Sequence, residues 1–273
     1  MNTRRLIFCC VVLLFISACN SVWIQPTRSQ ENIEALERVQ VKSYIFEDAA
    51  GIEMEYGLYV PTSYAVNKPT PLVVALHGNG SGLMYMMEYN NLVELAENYG
   101  FIVATPIGFS KSGWYGSKPM YPFKITATNK NLDAEAISKL SEADVLNVLD
   151  EVKRQYNIDE GRIYLIGQSM GGGGTWYLGT KYSDIWAAIA PLSPATGEDP
   201  GILENATHLP VMVIMGENDI EVDVNVTRDW VAKMEELNMD YQYLEISNGS
   251  HSAAGRRNID KVFEFLNMHN KQQ

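Results

Sequence analysis

The chain has 273 residues, 46% hydrophobic and 20% charged, enough to bury one large core, and it carries no repeat or low-complexity tract that would suggest an array. A formal net charge of −12 repels phosphate backbones and argues against nucleic acid as a partner. The three cysteines, Cys9, Cys10 and Cys19, all lie near the N-terminus, so the rest of the chain has no internal disulfide and must rely on packing.

Arg4 and Arg5 precede an apolar run from Leu6 to Ile16, and small Ser17 and Ala18 then lead to Cys19. As a helix that run rises about 16 Å, roughly half a hydrocarbon core, which makes it an export signal rather than a stable span. Ile16-Ser17-Ala18-Cys19 resembles the lipobox of bacterial lipoproteins. The resemblance implies cleavage before Cys19, lipid attachment there, and an exported protein anchored in the cell envelope at about 0.8 kcal/mol per buried methylene. An ordinary cleaved signal with a chance cysteine is the alternative. Asn20, where inner-membrane retention uses aspartate, points to the outer membrane in a Gram-negative source; otherwise the anchor lies on the outer face of the cytoplasmic membrane. Without Arg4 and Arg5 the balance is 19 basic against 33 acidic residues, a net charge of −14.

Residues 19–37, with Pro26 among polar neighbours, read as a tether, and 38–273 as a single domain. Val39 to Phe46 and Met54 to Val60 have period-two apolar spacing, expected of an antiparallel hairpin at a sheet edge. Leu72 to Leu76 is a continuous apolar run, the mark of a strand buried on both faces. Leu92, Leu95, Ala96 and Tyr99 share a helical face and lead to a strand from Phe101 to Ala104. Residues 106–131 form a long loop punctuated by glycine and proline, with Trp114, Tyr115, Tyr121 and Phe123, suited to a pocket wall. Ser141 is a candidate cap for a helix carrying Val145, Leu149 and Val152, before a strand from Arg162 to Ile166. Further strands are expected at Ile185 to Ala190, Val211 to Met215 and Tyr241 to Ile246, with a closing helix from Ile259 to Leu266. Alternation of helices with buried strands predicts an α/β fold: a mainly parallel sheet, helices on both faces, and an antiparallel N-terminal hairpin.

Gly167-Gln168-Ser169-Met170-Gly171 follows the strand Ile163 to Ile166 directly. A serine is a poor nucleophile unless exposed, oriented and next to a base; a tight strand-to-helix turn supplies the exposure, and flanking glycines let the backbone make it. Gly171 to Gly174 would also suit a phosphate-binding turn, but the Gly-Lys-Ser/Thr that reaches terminal phosphates is missing. Among four histidines, His251 follows the strand Tyr241 to Ile246 and best fits the base, while His208 and His269 sit in less suitable places. Asp219, in the polar turn after Val211 to Met215, is the choice for the orienting acid, with Glu217 and Asp223 as alternatives. His251 would take the serine proton and Asp219 would hold its tautomer. Oxyanion donors are expected from the N–H of Met170 and from the turn His77-Gly78-Asn79-Gly80, with Asn79 foremost and His77 bracing the turn. Trp114 and Gln168 are candidate substrate contacts, and Trp176 reads as core.

Leu76-His77-Gly78, Arg162 to Trp176, Gly216 to Val222 and Gly249-Ser250-His251 together resemble α/β-hydrolase esterases, specifically secreted enzymes of the polyhydroxybutyrate-depolymerase and feruloyl-esterase type. Relatives described as predicted peptidases or phospholipase/carboxylesterases share the Ser-Met-Gly-Gly-x-Gly-Thr-Trp run. The likeness covers roughly residues 40–267, and the chain order Ser, Asp, His is that of this fold. It departs from the pattern at Gly173, where relatives often carry an aromatic, and at Met215-Gly216, where they often have His-Gly; neither is a triad position. The resemblance implies ester hydrolysis through an acyl-serine, without metal or organic cofactor, on a small-molecule or carbohydrate-linked ester. Serine peptidase activity on the same fold and a non-catalytic binding lipoprotein are the competing readings.

Overall fold

A computed structural model describes residues 30–120 and 132–271. The expected signal, Cys19, the tether up to residue 29, and Tyr121 and Phe123 of the long loop lie outside the described residues. The last residues of the expected tether form helix α1 (Gln30–Glu37), which turns Ala35 inward. Immediately after it, Arg38 binds the Glu97 carboxylate at 2.8 Å and the Val60 carbonyl at 2.6 Å.

The strands are β1 (Gln40–Phe46), β2 (Ile52–Tyr59), β3 (Thr70–Leu76), β4 (Ile102–Pro106), β5 (Ile158–Gln168), β6 (Ala188–Leu192), β7 (Val211–Gly216) and β8 (Tyr241–Ile246). They make one sheet in the order β1-β2-β4-β3-β5-β6-β7-β8. β1 pairs antiparallel with β2, and β2 antiparallel with β4; the remaining pairs are parallel. The hairpin at the edge and the parallel body are those expected from the two kinds of apolar spacing.

The other helices are α2 (Met84–Met87), α3 (Leu92–Tyr99), α4 (Ala134–Gln155), α5 (Met170–Lys181), α6 (Val224–Glu236), α7 (His251–Arg256) and α8 (Ile259–Met268). β3 shows why its run is unbroken. Leu72, Val74 and Leu76 belong to a core that α4, α5 and α6 cover, whereas Val73 and Ala75 face the other core, under α2, α3 and α8. On the first face Trp176 of α5 stacks on Trp230 of α6, with ring centroids 4.3 Å apart and planes at 20°. Trp176 is fully buried, as its core reading requires.

Two local expectations are corrected. Ser141 does not cap a helix: α4 starts seven residues earlier, where Asp133 accepts the Ala136 N–H at 2.8 Å, and Ser141 is buried in mid-helix. Asp133 wins because its carboxylate reaches the free N–H groups of the first turn. The strand expected from Ile185 begins at Ala188 instead, since Ile185 closes a turn through its N–H to the Tyr182 carbonyl at 2.9 Å.

Candidate active site

β5 ends at Gln168 and Ser169 turns the chain into α5 with φ 59° and ψ −120°, a conformation that costs a non-glycine residue about 1–3 kcal/mol. The surroundings hold it there. The Ser169 N–H donates to the Leu192 carbonyl at 2.9 Å, and the Ser169 carbonyl accepts from Gly173 at 3.0 Å and Ala195 at 2.9 Å. The flanking glycines answer a packing demand, because a Cβ at 167 would lie 2.2 Å from the Gly171 carbonyl oxygen and one at 171 would lie 2.3 Å from that of Leu76. At Gly173 a Cβ would meet the Ala195 carbonyl oxygen at 2.0 Å. The aromatic residue common in the resembling esterases has no room on this backbone.

His251 opens α7 and is 6% exposed. Its Nδ1 lies 2.7 Å from Asp219 Oδ2. Asp219 has a fully buried side chain, and its Oδ1 accepts the N–H groups of Glu221 and Val222 at 2.9 Å each. A carboxylate facing Nδ1 favours the tautomer with its proton there, which leaves Nε2 as the acceptor. The two alternative acids serve elsewhere: Glu217 accepts the Asn248 N–H at 3.1 Å, tying the acid turn to the histidine turn, and Asp223 caps α6 through the Asn225 N–H at 2.9 Å. His208 is near Asp184 at 3.9 Å and His269 near Asp240 at 3.2 Å, neither lining the cavity that Ser169 faces.

That cavity, about 270 Å³, has Ser169, His251, Asn79, Met170, Trp114 and Gln168 in its wall. Among the described residues no hydrogen bond joins Ser169 to His251, although both line the cavity. Among the described residues the N–H groups of Met170 and Asn79 donate to no backbone acceptor in the turns and loops. The turn bearing Asn79 is braced by the Gly80 N–H to the Lys111 carbonyl at 2.8 Å. His77 stands behind it, with ring nitrogens 2.8 Å from the Gly78 carbonyl and 3.0 Å from that of Ile107. Burial lowers the His77 pKa, and the carbonyls of Gly78 and Ile107 oppose that shift.

Gln168 is 2% exposed; its Oε1 accepts from the Tyr85 hydroxyl at 3.1 Å, and its Nε2 has no partner among the described residues. Trp114 and Tyr115 are held at positive φ, 60° and 52°, by a polar seam on α4. Ser141 Oγ accepts the Tyr115 N–H at 2.9 Å, and Asp144 accepts the N–H groups of Gly108 at 2.6 Å and Phe109 at 3.2 Å and the hydroxyl of Tyr44. Burial pushes the Asp144 pKa up to about 6 in spite of these bonds. Sequence reasoning missed Asp144, although a polar residue on the face of α4 that carries Val145 and Val148 was a usable signal. It also missed Ser193, whose Oγ donates to the His251 carbonyl at 2.8 Å, and Glu221, whose Oε2 is 3.7 Å from His251 Nε2. Nothing in the local spacing marks Ser193, whereas Glu221 belongs to the carboxylate-rich turn from Gly216 to Val222 and only its role was unread.

The family model described as "Putative esterase" matches residues 48–255. The bifunctional acetylxylan esterase/xylanase of Neocallimastix patriciarum is 29% identical over 180 residues, 66% of this chain and 23% of that protein. Among solved structures, a thermostable esterase superposes with a TM-score of 0.68 at 22% identity, covering 87% of this chain and 64% of that one. A ferulic acid esterase of Anaeromyces mucronatus superposes with a TM-score of 0.63 at 16% identity, covering 85% and 90%. These likenesses give the α/β-hydrolase fold. The chain spans less than two thirds of the length of the curated relatives it matches, 23%, 46% and 64%.

Proposed function

Because this chain belongs to the esterase family whose model covers residues 48–255, we propose that it hydrolyses carboxylic esters through an acyl-serine intermediate, with Ser169 as nucleophile, His251 as base and Asp219 as its orienting acid. One observation carries the reading. A serine in a strained strand-to-helix turn shares a cavity wall with a histidine whose far nitrogen is hydrogen-bonded to a buried carboxylate.

The chemistry follows from those positions. Nε2 of His251 removes the hydroxyl proton as Ser169 Oγ attacks the ester carbonyl, and Asp219 stabilises the imidazolium that forms. The carbonyl oxygen gains charge and is met by the N–H groups of Met170 and Asn79, each worth about 3 kcal/mol in comparable sites. The imidazolium then protonates the departing alcohol. Water, activated by the same nitrogen, releases the acid and restores Ser169. Trp114 and Gln168 stand in the cavity wall but are almost fully buried, at 1% and 2% exposed, so they shape the cavity more than they present surface to substrate.

The relatives named for acetylxylan and ferulic acid support an acylated or feruloylated carbohydrate as substrate, with a short polyester as the other candidate. The lipobox-like Cys19 supports anchoring in the cell envelope, where such esters are met. Ser169→Ala is expected to abolish turnover of a short p-nitrophenyl ester and labelling by a fluorophosphonate, with an unchanged circular dichroism spectrum. Retained labelling at wild-type rate would overturn the assignment.

A further inference from the structure

We propose that Glu221 selects the alcohol half of the ester by charge, favouring neutral hydroxyl-bearing or cationic leaving groups over anionic ones; this rests on the ester-hydrolase reading of the same cavity. Glu221 lies in the cavity wall, and its Oε2 is 3.7 Å from His251 Nε2. Its main chain is pinned, since its N–H donates to Asp219 Oδ1 at 2.9 Å. The side chain is 65% exposed and its outer part is free to meet a ligand.

The mechanism bounds where the leaving group can be. To be protonated by His251, the departing oxygen must come within hydrogen-bond reach of Nε2, about 3 Å. It therefore sits no more than about 7 Å from the Glu221 carboxylate, inside the screening length of roughly 8 Å at physiological salt. The acyl oxygen is directed elsewhere, to Met170 and Asn79. Glu221 thus acts on the alcohol more than on the acid.

No lysine or arginine is in the described lining, and the one cation that arises there, the transient imidazolium of His251, is already paired with Asp219. Arg256 is engaged instead with the rings of Tyr89, at 4.8 Å, and Tyr85, at 5.8 Å. Carboxylate oxygens accept hydroxyl hydrogens in charge-assisted bonds, so a polyhydroxylated alcohol gains an interaction where a carboxylate-bearing one is repelled. For unit charges about 6 Å apart at a solvated protein surface the penalty corresponds to a rate factor of roughly three to ten.

Three acetates with a common acyl group test this: 3-carboxyphenyl, 3-(hydroxymethyl)phenyl and 3-(trimethylammonio)phenyl acetate, each kcat/KM being divided by the rate of hydrolysis by hydroxide. In the unaltered protein the normalised values are expected to rise in that order. Glu221→Gln should raise the anionic-to-neutral ratio about threefold to tenfold at low salt, and about 0.5 M sodium chloride should shrink the wild-type preference while leaving the variant's ratio nearly fixed. Equal ratios in the two proteins, or a salt response shared by both, would overturn the role of Glu221 and leave ester hydrolysis standing. Absence of turnover of all three acetates by the unaltered protein would overturn the ester reading and this inference with it.

Discussion

Replacing Asp144 by asparagine should flatten the dependence of stability on pH. The carboxyl group is buried on α4 among the N–H groups of Gly108 and Phe109 and the Tyr44 hydroxyl, and its pKa rises from 3.8 to about 6. A raised carboxyl pKa means that the folded protein holds the proton more tightly than the unfolded chain. Its contribution to stability is therefore fullest below pH 3.8 and is lost as pH climbs through 6. The loss comes to about 3 kcal/mol in all, because each tenfold difference in proton affinity between the folded and unfolded chain is worth about 1.4 kcal/mol. His77 works in the opposite direction: burial depresses its pKa below 6.5, so stability falls as pH drops through that value. Comparing variant with parent at each pH removes that contribution. Asparagine is isosteric and can still accept from the backbone, but it has no ionisation to lose. Urea unfolding at about pH 4.5, 6 and 8 should show the parent losing stability relative to Asp144→Asn by about 2–3 kcal/mol across the range. A difference between the two proteins that stays constant within about 0.5 kcal/mol would refute the assignment of a raised pKa to Asp144.

Two further substitutions probe the site. Asp219→Asn should lower kcat about 10³- to 10⁴-fold on any ester that the parent cleaves, because an amide can present its N–H to Nδ1 and favour the wrong tautomer; a loss under about tenfold would remove Asp219 from the triad. Gly173→Ala places a methyl group against the Ala195 carbonyl, which stands 2.0 Å from the ideal Cβ position. Overpacking of this kind costs about 1–3 kcal/mol, so the melting temperature should fall by roughly 2–12 °C, and an unchanged value would mean that the turn yields easily.

The body of the sheet is legible in the sequence because its strands are buried on both faces and leave unbroken apolar runs: β3 and β7 can be read almost to the residue. The sharp turn at Ser169 is legible for a different reason, since glycines on both sides of a residue directly after such a strand mark a tight strand-to-helix turn. What stays hidden depends on contacts between distant segments. The placement of β4 between β2 and β3 follows from which edges pair, and no local period records it. α6 escapes notice because only Thr227, Trp230 and Met234 of its residues are buried, which leaves a polar sequence with a thin apolar stripe. Ser141 misleads because a serine before an apolar helical face satisfies the capping pattern, whereas its hydroxyl is used 26 residues away, by Tyr115. Asp144 and Ser193 likewise act on backbone groups far along the chain, at Gly108 and His251.

The stacked indoles of Trp176 and Trp230 join the helix that begins just after Ser169 to the helix that follows the Asp219 turn. Two chromophores at 4.3 Å couple their electronic transitions, so the protein should carry a paired far-ultraviolet signal of opposite signs that exists only while those helices are docked. That signal is an internal reporter placed beside the chemistry. A variant that keeps the couplet while losing turnover has been damaged at its reacting groups, and one that loses both has come apart between the two helices.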